Sequence, residues 1–180
     1  MAESAPSFLT PWSSFYVMTG SSAAALTGLM FVVITLVDRV ERSQRSQDGI
    51  ATFSTPTVMH FCAALLVSAI LNAPWRSLMH VAVLIGIVGL CGVVYILRII
   101  SRTKRMTAYT PDVEDWAWYT ILPFLAYGAI LGGAIALTGV PVNALFVLAG
   151  AVILLIFIGI RNAWDVVTYV AIGGPSQPRD

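Results

Sequence analysis

A chain of 180 residues that is 58% hydrophobic and 11% charged, with a mean hydropathy of +0.84, is not an ordinary soluble domain, in which about 25% of residues carry charge. Ten Lys and Arg against nine Asp and Glu leave a formal charge of +1, so no electrostatic excess points to nucleic acid or an acidic substrate. The two cysteines, Cys62 and Cys91, both lie in apolar runs, which excludes a disulfide framework and a cysteine-type zinc motif.

A helix needs roughly 20 apolar residues, rising about 1.5 Å each, to cross about 30 Å of hydrocarbon. Five runs approach or exceed that length, and the predicted spans are 15–37, 56–73, 78–100, 116–137 and 142–161. Each run is continuously apolar, whereas strands of a membrane barrel alternate over about ten residues. The expected fold is therefore all-α, a transmembrane helical bundle forming one domain over residues 1–180.

The first span follows an N-terminus with no Lys or Arg ahead of it, so the basic flank of a cleaved signal peptide is missing and no cleavage is expected. Along it Gly20, Ala24 and Gly28 recur every four residues with Ser21 and Ala25 beside them, a stripe that lets another helix approach closely. Thr55 is expected to cap the second span with Pro56 as its first residue, where a missing amide costs nothing, and Pro74 is expected to close it. In the third span Gly86, Gly89 and Gly92 stand three apart, which suggests tight packing along a line that drifts around the helix. Pro123 predicts a kink in the fourth span by removing the donor for the Tyr119 carbonyl. Gly139 and Pro141 predict a turn tight enough to make the fourth and fifth helices antiparallel neighbours. The fifth apolar run outlasts the bilayer, so its end, residues 162–171, is expected to lie at the interface.

Basic residues alternate in side. Arg39, Arg42 and Arg45 follow span one, Arg98, Arg102, Lys104 and Arg105 close span three, and Arg161 and Arg179 follow span five, while the opposite side holds Arg76. Lys and Arg near span ends stay cytoplasmic, so the N-terminus is expected outside and the C-terminus in the cytoplasm.

Ionisable groups within spans are costly and each needs an explanation. His60 and His80 are separated by about 20 Å along the membrane normal on this topology, too far to ligate one haem or one metal ion together. Haem is therefore disfavoured. His60 shares its end of the bundle with Glu114, Asp115, Tyr119, Asn162 and Asp165, and with Arg98, Arg102 and Arg161. This cluster can be read as a divalent metal site, with His60, Asp115 and Asp165 as candidate ligands, or as arginines holding a lipid head group. It can equally be read as helix-dipole capping and membrane orientation. Arg161 and Asp165 stand four apart and are expected to pair. No metalloprotease, nucleophile-elbow or phosphate-loop motif is present.

The strings Gly20–Gly28 (GSSAAALTG), Thr55-Pro56-Thr57 with His60-Phe61, Ala73-Pro74-Trp75, Glu114-Asp115-Trp116 and Gly159–Asp165 (GIRNAWD) together resemble an uncharacterised family of small bacterial multipass integral membrane proteins with five helices. The resemblance spans most of the chain and implies that the polar strings at the cytoplasmic end belong together. It implies no activity. Relatives in that family carry histidine where this chain has Arg161, and a guanidinium has no lone pair for a metal, so the resemblance weakens the metal reading.

The expected role is assembly or interaction in the bacterial inner membrane, as a homo-oligomer or an accessory subunit beside another membrane protein, in contact with the lipid bilayer and with no nucleic acid. The alternative is a membrane-embedded metal-dependent hydrolase or lipid-modifying enzyme using the cytoplasmic cluster, and the third reading is a small channel or transporter. The enzyme reading requires His60, Asp115 and Asp165 to converge beside a cavity. The assembly reading requires the Gly20, Ala24, Gly28 face to be open.

Overall fold

The computed structural model describes residues 8–41, 50–103 and 116–171. They form five helices and no strand: α1 Ser13–Glu41, α2 Ile50–Asn72, α3 Leu78–Thr103, α4 Leu122–Ala136 and α5 Pro141–Ala171. A 3-10 turn, Thr10–Trp12, leads into α1, and a π-helical turn, Ala117–Ile121, leads into α4. Four stretches are long and apolar enough to cross a membrane, namely Thr10–Thr35, Leu78–Ser101, Ala117–Ala136 and Pro141–Thr168, while the apolar part of α2, Pro56–Asn72, is shorter.

The contacts set the order of the helices. Ser13 bonds Asn72 at one end of the α1–α2 seam, and Thr19 bonds Ser68 further along it, so these helices run antiparallel. Gly86, Gly89 and Gly92 of α3 face Ala134, Leu131 and Tyr127 of α4 in descending order, again antiparallel. Gly133 of α4 packs on Leu148 of α5, and Phe61 of α2 packs on Gly159 of α5. Helices α2, α5, α4 and α3 thus form the body of the bundle, and α1 is attached to the outer side of α2 with a lesser contact to α5.

Helix α5 is the central element, and half of its most apolar stretch is buried. Leu145, Leu148, Val152, Leu155 and Ile158 are fully enclosed along one face, at the three- and four-residue spacing that keeps side chains on one side of a helix. Lipid is as apolar as leucine, so such helices associate through close packing and hydrogen bonds instead of through hydrophobic transfer. Glycine supplies the closeness. A side chain on Gly89 would start 2.7 Å from the backbone nitrogen of Leu131, so α3 and α4 touch there almost backbone to backbone.

Several expectations change. Helix α2 begins at Ile50, and Pro56 lies inside it, so Thr55 is not the residue before the helix. The chain keeps its helical path through the proline because the missing donor removes one backbone bond from a segment held on both sides by longer helix. At Pro123 the disturbance takes a definite form, a π-helical turn ending just before it. The Leu122 amide reaches back to the Ala117 carbonyl, and this wider ring makes room where a proline would collide with an α-helical carbonyl. As the length of the fifth apolar run predicts, helix α5 continues to Ala171 without a break, with residues 162–171 as its helical end. The small-residue stripe of α1 is divided. Gly20 is buried against Ser68 of α2, where an added side chain would start 3.0 Å from its Cβ, whereas Ala24 and Gly28 are exposed. Positions 20, 24 and 28 advance around the helix by about 40° per step, which is enough to carry the line off the α2 contact.

Candidate polar site at one end of the bundle

The end of the bundle that holds the start of α4 and the end of α5 carries the polar residues. Tyr119, in the π-helical turn, donates its hydroxyl to Oδ2 of Asp165 at 3.4 Å. Arg161 pairs with the same carboxylate across one turn of α5, as the four-residue spacing predicts, and its guanidinium lies 6.0 Å from the ring of Trp118. The pair is about one third exposed on each side, at 34% and 36%, so this is a half-open ionic site at the rim of the bundle.

His60 is elsewhere. It is buried on α2, and its Nδ1 lies 3.0 Å from the Tyr127 hydroxyl of α4. The phenol ring reaches His60 because α3 presents Gly92 where it passes; a side chain there would occupy the ring itself. The next residue, Phe61, seats its ring in the space that Gly159 leaves on α5. Since Phe61 is level with Gly159, and α2 and α5 run antiparallel, Asp165 stands about 7 Å nearer the rim than His60. The expected single cluster is thus two sites, a rim site of Tyr119, Arg161, Asp165 and Trp118, and a deeper pair of His60 and Tyr127.

Between them lies Asn162. It is fully buried, and neither its Nδ2 nor its Oδ1 has a hydrogen-bond partner. Arg98 is exposed on α3. Arg102 continues the α3 helix, with its side chain outside the described residues, and Glu114 and Asp115 lie outside them altogether. Among the described residues no three His, Cys, Asp or Glu side chains gather as a metal-ligand set. His80 is exposed near the opposite end of the bundle.

Tyr127 and Trp118 are the residues that the sequence left out of the cluster. The signal for Tyr127 was present, because a tyrosine deep in an apolar run must find a partner for its hydroxyl. The choice of partner was not, since it depends on the gap at Gly92 in a third helix.

The opposite end is aromatic. Trp12 meets Phe146 edge to face at 4.7 Å, and Tyr16 donates to the Leu145 carbonyl at 3.3 Å. A pocket of about 180 Å³ lies there between Leu9, Thr10 and Ser13 on one side and Leu71–Trp75 on the other. Comparison of the chain with models of protein families, with curated proteins and with solved structures finds no match.

Proposed function

We propose that this chain is a five-span protein of the bacterial inner membrane that acts by assembly, as a homo-oligomer or as an accessory subunit, through the outer face of α1. The observation that carries the reading is the placement of α1. It sits at the edge of the bundle, buries Tyr16, Thr19, Gly20, Ala23 and Met30 toward its own chain, and leaves Ser21, Ala24, Ala25 and Gly28 exposed. Among the described residues, no atom beyond the adjoining backbone of α1 lies within 4 Å of where a side chain on Gly28 would begin. Small residues on a lipid-facing helix let a second backbone approach closely. The engagement of His60 by Tyr127 and of Asp165 by Arg161 favours this reading over a metal-dependent lipid-modifying enzyme.

Single cysteines at Ala24 and Gly28, in a background without Cys62 and Cys91, are expected to form crosslinked species in oxidised membranes. A cysteine at Ile135, exposed on α4, is expected not to. Adding Gly28→Leu to the Ala24→Cys protein should cut its crosslinking at least ~5-fold, because the bulk prevents backbone approach. Equal crosslinking at Ala24 and Ile135, or none at Ala24, rejects assembly through α1.

Five spans follow if the whole of α2, Ile50–Asn72, crosses the bilayer, since its 23 residues extend about 34 Å. With the basic residues of the 38–53 and 101–115 segments held in the cytoplasm, the N-terminus lies outside and the C-terminus inside. A cysteine replacing Ser46, in the same cysteine-free background, is expected to react with an impermeant maleimide only after the inner membrane is opened. Labelling in intact cells reverses the orientation. Membership of the five-helix family that the chain resembles is part of the same proposal.

A further inference from the structure

Asn162 lies on α5 between two positions whose neighbours are known. Three residues before it, Gly159 takes the ring of Phe61 from α2, and three residues after it, Asp165 takes the hydroxyl of Tyr119 from the segment leading into α4. Asn162 therefore faces the seam between α2 and α4, the seam that His60 and Tyr127 bridge, with His60 about 3 Å deeper. Its side chain is fully buried, with the amide nitrogen and the amide oxygen both unpaired. Tyrosine, threonine and serine hydroxyls elsewhere in the bundle do find partners: Thr19 bonds Ser68, Tyr16 bonds a carbonyl, Thr27 bonds the Ala23 carbonyl. A buried amide with two donors and an acceptor unmade costs about 1–3 kcal/mol for each group left unpaired and calls for a partner.

We infer that Asn162 holds a small neutral hydrogen-bonding molecule, water or a solute of similar chemistry, in the seam between α2, α4 and α5. The chemistry of the surroundings selects the charge. Arg161 and Asp165 neutralise each other at the rim, and the seam below presents an amide, an imidazole and a phenol, which donate and accept but carry no net charge. A buried molecule that donates and accepts, as water does through about three hydrogen bonds, satisfies both amide atoms. It places a polar link between the rim site and the His60–Tyr127 pair.

The chain has three asparagines, Asn72, Asn143 and Asn162, so side-chain amide resonances are readily assigned in full-length protein labelled with nitrogen-15 asparagine in detergent. The Asn162 amide protons are expected to show magnetisation transfer from water or from another non-protein proton. In parallel, Asn162→Leu, which keeps the branched four-atom shape of the side chain and removes its polar atoms, is expected to lower the thermal unfolding midpoint by about 3–6 °C. Transfer from water alone identifies water. Transfer from a second species, together with a mass adduct in native mass spectrometry that Asn162→Leu loses, identifies a solute. The inference is overturned if the wild-type amide shows no transfer from any non-protein proton, or if Asn162→Leu unfolds at the same or a higher temperature, the result expected for an amide that is simply left unpaired. The wild-type measurement stands even if the leucine variant does not fold.

Discussion

Replacing Gly92 by leucine is expected to destabilise the bundle by about 3 kcal/mol or more, a drop in the unfolding midpoint of roughly 6–12 °C for a chain of this size. A side chain at this position begins inside the ring of Tyr127. The ring has nowhere to go without loss, because it is 2% exposed and its hydroxyl is bonded to His60. If the ring moves, a buried imidazole loses its partner. If α3 moves instead, the backbone approach of Gly89 to Leu131 opens and the dispersion contacts along the α3–α4 seam go with it. Gly132→Leu is the control, since Gly132 is exposed on α4 and, among the described residues beyond its own helix backbone, nothing lies within 4 Å of a new side chain; its expected effect is within about 0.5 kcal/mol. Thermal unfolding in detergent, followed by loss of the monodisperse species, separates the two. Equal midpoints for both variants would show that Tyr127 does not cross α3 at Gly92.

Tyr127→Phe is the second large effect, with an expected cost of about 1–2 kcal/mol. The change keeps the ring and its contact with Gly92 and removes only the hydroxyl, so the loss reports the hydrogen bond and the unpaired Nδ1 left behind on His60. His60→Phe removes the other partner. The double variant is expected to be less destabilised than the sum of the two single ones by at least about 0.5 kcal/mol, because once one partner is gone the other has no bond left to lose. His80→Phe, at an exposed position, is expected to change the midpoint little. Additive effects at His60 and Tyr127 would mean that their contact contributes nothing as a bond.

The two experiments probe one arrangement in which four helices meet. His60 from α2 and Tyr127 from α4 are joined through a gap in α3, and Phe61 fixes the level of α5 at the same place through Gly159. Four helices are thereby held in register by an imidazole, a phenol and two glycines. Asn162 lies beside this point on the rim side, and the ionic pair of Arg161 and Asp165 lies beyond it. A change at any of these positions is therefore expected to be felt at the others, which is why Gly92→Leu is expected to cost more than loss of the Tyr127 hydroxyl alone.

What the sequence determined by itself is the class of structure and the placement of its parts along the chain. Long apolar runs can satisfy their backbone in lipid only as helices, so the all-helical fold and the approximate limits of α3, α4 and α5 were legible from composition, as was the pairing of Arg161 with Asp165 one helical turn apart. The start of α2 was misplaced because Pro56 suits a first turn equally well as an interior kink, and only the residues before it decide. The tertiary structure decided everything that depends on lateral position around a helix. The depth of His60 was readable, but its partner, two helices on in the sequence, was set by the space at Gly92 in the helix between them. Gly20, Ala24 and Gly28 form one stripe in the sequence, yet only the docking of α2 buries the first and leaves the others facing outward. Asn162 entered as one member of a polar cluster readable as a site or as capping, and only the packing shows it to be an interior amide. In a chain whose helices are apolar on nearly every side, hydrophobic patterning cannot say which face turns inward, and that choice falls to close packing at glycines and to the few hydrogen bonds between helices.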